Sequence, residues 1–112
     1  MEYINSEYQD SIDFLNDCAQ VCYECFEASL NAPDFKERGE LIKYLVECAQ
    51  HCQMTVGYLS RSSIHLEEMA LISAHLAKAT AALCEKFDDE HTKITGKVCL
   101  ETANICIEAF DD

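Results

Sequence analysis

The stretch Asp17-Cys18-Ala19-Gln20-Val21-Cys22-Tyr23-Glu24-Cys25, echoed by Glu47-Cys48-Ala49-Gln50-His51-Cys52, decides how this chain folds. Steps of three and four residues return to the same side of a helix, so these thiols form an inward stripe. Ile4, Phe14, Leu15, Val21 and Phe26 share one broad arc with them and no proline interrupts, which predicts helix 1 from Tyr3 to about Leu30. Leucine could fill such a core at no chemical risk. Buried thiols bring oxidation and metal affinity with them, so their use here points to function.

Working outward, Asn31, Ala32, Pro33 and Asp34 break helix 1, and Asp34 with Glu37 reads as a capping box that starts helix 2. Helix 2 turns Leu41, Leu45, Cys48, Cys52 and Leu59 inward and runs to about Ser60, tolerating Gly57 at a small cost. Arg61, Ser62 and Ser63 form the next turn, with Ser63 as N-cap of a helix 3 that extends to about Lys86. Phe87, Asp88, Asp89 and Glu90 supply the last turn and an acidic start for helix 4, which reaches about Phe110 across Gly96. No segment alternates with period two. The expected architecture is all-α, one domain over residues 1–112, an antiparallel up-down-up-down four-helix bundle.

Composition narrows the function. A formal charge of -13, from 21 acidic and 8 basic side chains, repels phosphate backbones and anionic headgroups. Nucleic acid and membrane are therefore not expected as partners. Residues Met1 to Asp17 carry Glu2, Glu7, Asp10, Asp13 and Asp17 and no apolar run, so they read as neither signal nor membrane span. That suggests a cytoplasmic protein with reduced thiols, although an exported form trimmed of its signal would read alike. Eight cysteines could form a disulfide framework in a small loop-rich chain, but three glycines and one proline do not describe that class.

Helix 3 carries a stripe of small residues, Ala70, Ser73, Ala77 and Ala81, ending in the single thiol Cys84. Met69, Ile72, Leu76 and Leu83 lie on a neighbouring flank, so one helix has two apolar sides and the second predicts a homo-oligomer, dimer or larger. In helix 4, Thr92, Thr95, Cys99, Ala103, Cys106 and Phe110 make the seam, with Ile94, Val98 and Ile105 beside it. A rise of about 1.5 Å per residue sorts the thiols by height. Cys22, Cys25, Cys84 and Cys99 fall near one level, and Cys18, Cys48, Cys52 and Cys106 about 10 Å lower.

Cysteine also packs as a small inert hydrophobe, so inward spacing alone is compatible with a plain structural or interaction bundle. The number of thiols favours metal, since thiolates bind soft ions. Cu(I) fits best because it accepts two or three thiolates in bridged arrays. Zinc fits less well, because it takes isolated tetrahedra whose Cys-x-x-Cys pair usually sits on a knuckle turn, whereas Cys22 and Cys25 lie within a helix. No ferredoxin cysteine spacing is present. A thiol redox sensor is the third reading, although Cys22-x-x-Cys25 lacks the strand of a thioredoxin fold. His51 and His91 are candidate auxiliary ligands, His75 a surface residue, and Met54 and Met69 candidate thioethers at a mouth. No histidine follows a glutamate by three residues as a di-iron bundle requires, and no nucleophile-base constellation or phosphate loop appears, so no enzyme is expected.

The motifs Asp17 to Ala28 and Glu47 to Cys52 together resemble the cysteine-rich four-helix-bundle copper-binding proteins, a group that includes the cytosolic copper storage proteins. The likeness runs from about Tyr8 to Phe110. It implies an interior that holds cuprous ions on Cys18, Cys22, Cys25, Cys48, Cys52, Cys84, Cys99 and Cys106, often within a tetramer. Members of that group usually carry more thiols. Ser29, Leu41, Ala70, Ser73, Ala77 and Ala103 stand here at seam positions where cysteine would be expected. The resemblance thus implies limited binding, or a relative that has lost the function.

Overall fold

The computed structural model describes residues 6–110. After one 3-10 turn, Ser6–Tyr8, the chain forms α1 (Gln9–Leu30), a second 3-10 turn (Phe35–Arg38), α2 (Gly39–Ser60), α3 (Leu66–Cys84) and α4 (Glu90–Phe110). Connections of five to eight residues leave consecutive helices no room to do anything but reverse. Two hydrogen bonds show the reversal between the first and last helices. Thr102 Oγ1 donates to the Phe14 carbonyl and Thr95 Oγ1 to that of Val21, so seven residues down α4 match seven residues up α1. Helix α1 packs on α2 and α4, and α3 packs on the same two, giving the expected four-helix bundle. No strand occurs among the described residues.

The helix ends differ in detail from the sequence expectation. Asp34 does not cap α2: its carboxylate accepts from Arg38 Nε at 3.0 Å, and the Phe35–Arg38 turn delays the helix to Gly39. The Asp34 side chain makes no capping hydrogen bond to a helix amide. Ser63 Oγ accepts from the His65 amide at 3.1 Å, so it caps the turn before α3 while the helix begins at Leu66. Helix α3 ends at Cys84, two residues short of Lys86. Asp89 closes the start of α4, accepting from the Thr92 amide at 3.2 Å. The expected start of helix 1 at Tyr3 lies outside the described residues, where the first α-helical residue is Gln9.

Few large side chains fill the core. Leu15, Leu41, Leu45 and Leu59 are its fully buried leucines, and apart from Ile12 and Arg38 the rest is alanine, cysteine, serine and threonine. Each buried hydroxyl must find an acceptor, since leaving one unpaired costs about 1–3 kcal/mol. They find them mainly on the helix backbones: Thr80 donates to the Leu76 carbonyl and Thr102 to that of Val98, both at 2.8 Å. Thr55 and Ser73 pair with each other at 2.7 Å between α2 and α3. Small side chains at these positions let four helices approach closely around the thiols. The second flank expected on α3 is only partly open, because Leu76 and Leu83 pack against the core of their own chain. Ile72 is its exposed member, at 45% of its surface, and Leu71 beside it is exposed at 42%.

Candidate metal centre

All eight cysteines are buried and none is paired in a disulfide. Four of them meet at mid-height. Cys18 and Cys22 come from α1, Cys48 from α2 and Cys99 from α4, with every Sγ within 4.8 Å of the other three. Cys99 Sγ lies 3.6 Å from that of Cys18 and 3.7 Å from that of Cys22, while Cys18 and Cys48 stand 4.0 Å apart. Two thiols on α1 converge because they are one helical turn apart. The other two arrive because α2 and α4 flank α1 on either side. Helix α3 contributes only alanines, serine and threonine at this depth.

This quartet corrects the sorting by height. It draws Cys22 and Cys99 from the group expected above and Cys18 and Cys48 from the group expected below, because the slide between helices removes the roughly 10 Å that a count of rises put between the groups. The remaining four surround it. Cys52 stands beside Cys18 and Cys48, and Cys25 faces Cys84 nearer the end that holds the 31–38 and 85–89 connections. Cys106 is the most separate, its thiol pushed up to about 12 by burial, with the charge of Cys18 a smaller cause.

Crowded sulfurs share protons unequally. Cys48 is held far below the ordinary thiol range because Cys18 and Cys22 donate to it, and Cys18 is held down to about 5, chiefly by donation from Cys22. Cys22, Cys52 and Cys99 are correspondingly pushed up, each with Cys18 as the first cause. The same division occurs in the outer pair: the Cys84 thiol holds Cys25 at about 6 and is itself pushed up. The downward direction at Cys18, Cys48 and Cys25 favours the thiolate, the form that binds metal.

Geometry agrees with a metal. A metal-thiolate bond of about 2.3 Å separates two sulfurs by about 3.8 Å at a tetrahedral angle and about 4.6 Å when linear. The observed separations, 3.6 to 4.0 Å for three pairs and none beyond 4.8 Å, span that range. Four sulfurs with no histidine or carboxylate among them suit a soft ion.

The histidines and methionines stand elsewhere. His75 and His91 are exposed, Met54 is half exposed and Met69 is half-buried on α3. His51 lies on the α2 flank next to α3, where its carbonyl accepts from Ser73 Oγ. Its Nδ1 is buried and finds no hydrogen-bond partner among the described residues.

Sequence reasoning missed Arg38. It is buried, and joins the 31–38 connection to the 85–89 connection across one end of the bundle. Its guanidinium donates to Asp34, to Asp89 Oδ1 at 2.6 Å and to Ser29 Oγ at 3.2 Å, and lies 4.6 Å from the centre of the Phe87 ring. Ser29 in turn lies 3.9 Å from Cys25 Sγ. One charged group thus seals the core just beyond the Cys25 and Cys84 pair. No signal in the sequence distinguishes it from Arg61, which lies over the Tyr58 ring on the surface.

Comparison with known proteins places this arrangement. The family described as copper storage protein matches residues 4–111. A curated relative, the uncharacterized cysteine-rich protein YhjQ of Bacillus subtilis, is 27% identical over 90 residues, covering 80% of this chain and 83% of that protein. Among solved structures, apo copper storage protein 3 from Bacillus subtilis superposes with a TM-score of 0.86 at 24% identity, covering 91% of this chain and 97% of that one. The Cu(I)-bound copper storage protein BsCsp3 gives 0.88 at 24% identity, covering 92% and 97%. These two establish the fold.

Proposed function

The chain belongs to the copper storage protein family, and from that premise we propose that it holds Cu(I) as cargo on thiolates inside its bundle, as a store or buffer and not as an enzyme. The observation that carries this is the quartet Cys18, Cys22, Cys48 and Cys99, four buried sulfurs mutually within 4.8 Å. Cys25, Cys52, Cys84 and Cys106 extend it along the core. A bridged cuprous array grows by sharing sulfurs between ions, so the full set of eight is the proposed ligand set.

Capacity follows from what α3 lacks. Ala70, Ser73 and Ala77 line its buried face, and Cys84 is its single thiol. The array is therefore three-sided through the middle of the bundle, and its uptake is smaller than that of a relative with thiols on all four helices. Zinc fits the quartet by distance, but it would leave the other four thiols unused. The proposed setting is the cytoplasm, as one domain, where reduced thiols persist. No described helix is long and apolar enough to cross a membrane. We place the protein in a homo-oligomer, dimer or tetramer, supported by Leu71 and Ile72 on α3 and by Ile94 on α4, all 42% or more exposed.

The test is anaerobic titration of the reduced protein with Cu(I) against a cuprous chelator, repeated with Cys48→Ser. Retention of several ions by the parent, reduced in the variant, is expected. No retention by the parent, with the melting temperature unaltered by Cys→Ala changes, would leave an inert bundle. Reversible pairing of the thiols under mild oxidation, without copper retention, would make it a redox sensor.

A further inference from the structure

Beyond the core lies a groove of about 890 Å³ between the end of α3 and the start of α4. Lys78, Lys93 and Lys97 line it, three of the chain's eight basic side chains, and all three are exposed. None of them is in an ion pair among the described residues. Glu85 and Asp88 are the acidic residues of the lining. The balance is positive on a chain whose charge is -13. Elsewhere that charge repels anions.

The groove reaches a core thiol. Cys84 borders it, and opposite stands Gly96, where an added Cβ would lie 3.3 Å from Cys84 Cβ. The missing side chain at 96 lets α4 approach Cys84 and leaves no bulk beside it on that side. Cys84 in turn faces Cys25, on the way to the quartet. The apolar part of the lining, Ala81, Ala82, Phe87 and Leu100, suits the carbon skeleton of a small molecule.

Resting on the storage reading above, we propose that this groove is the docking and transfer site for Cu(I) carried on an anionic low-molecular-weight thiol, with Cys84 the first protein sulfur to take the ion. Free Cu(I) is scarce wherever thiols are abundant, because soft ions stay on thiolates. A carrier thiol bearing carboxylates forms a negatively charged complex, which the rest of this surface repels and the lysines attract. The exchange balances without any redox change. Two copper-sulfur bonds to carrier thiolates break and two form, to Cys84 and Cys25. Whatever proton Cys84 or Cys25 carries leaves on a released carrier thiolate, a carrier displaced by a protein thiolate leaves as thiolate, and copper remains Cu(I).

The test compares two donors that share one coordinating group: the Cu(I) complex of glutathione and that of glutathione dialkyl ester, whose carboxylates are masked. Transfer is followed anaerobically by stopped-flow absorbance of the growing copper-thiolate band. The glutathione complex should load faster by roughly tenfold at low salt, the lower end of electrostatic steering, and the advantage should shrink as salt is added. In the Lys78→Glu, Lys93→Glu, Lys97→Glu variant the preference should vanish or invert, with the final copper content unchanged, and Lys→Gln at the same positions should remove it without inversion. Cys84→Ser should slow loading from both donors. Equal rates from the two donors in the parent, or a preference that survives charge reversal, overturns the docking site and leaves storage standing. No uptake from either donor overturns both.

Discussion

Replacing Arg38 with methionine keeps most of its stem and removes its charge, which isolates what the buried guanidinium does. Three hydrogen bonds are lost. The bond to Asp89 is the shortest at 2.6 Å, but Asp89 and Asp34 are 37% and 36% exposed and can regain water, so each pairing is discounted to about 1 kcal/mol or less. Ser29 is fully buried and cannot regain water. It is left with a single weak sulfur contact, at a cost of about 1 kcal/mol. The sum is about 2–3 kcal/mol, which for a domain of this size lowers the melting temperature by about 8–13 °C.

The loss also has a pH signature. Burial alone would raise the Asp89 pKa, but hydrogen bonds from Arg38 and from the Thr92 amide and hydroxyl outweigh it and hold the group below the usual carboxylate range. A depressed carboxylate contributes stability that is complete above its unfolded pKa of about 3.9 and is lost as pH falls through the folded value. Parent and variant should therefore differ fully at pH 7, and the gap should narrow as pH falls below about 4, toward the roughly 1 kcal/mol that the Ser29 bond contributes at any pH. Urea unfolding followed by circular dichroism at a series of pH values measures both. A difference under about 0.5 kcal/mol at neutral pH, or one that widens in acid, refutes the reasoning, since surface changes fall within that range.

Other consequences follow from the same core. Leu45→Ala removes a fully buried side chain and should cost about 2–5 kcal/mol in denaturant unfolding, because the surrounding alanines and thiols have little bulk with which to fill the space. Alkylation of the native reduced protein with iodoacetamide should be slow at every cysteine and fastest at Cys84, which borders the α3/α4 groove, as read by peptide mass spectrometry. Rapid native-state modification of Cys18 or Cys99 would show that the quartet is not enclosed.

Four helices, their order and the inward phase of all eight thiols were legible in the chain, because a 3.6-residue period is a local property that Cys18, Cys22, Cys25, Cys48 and Cys52 display directly. The family resemblance was legible for the same reason, being carried by those two motifs. Which thiols meet was not. Cys22 and Cys99, 77 residues apart, touch because of the relative slide of α1 and α4, which depends on how Thr95 and Thr102 find carbonyls on α1. An offset of a turn moves a side chain about 5 Å, more than the span of the quartet, so a count of rises could not resolve it. Arg38 escaped for a related reason. Its partners Asp34, Ser29 and Asp89 come from three separate segments, and only the closed bundle brings two connections near enough for one guanidinium to bridge them. Periodicity along one helix sets which side faces in; packing between helices sets what each inward group meets.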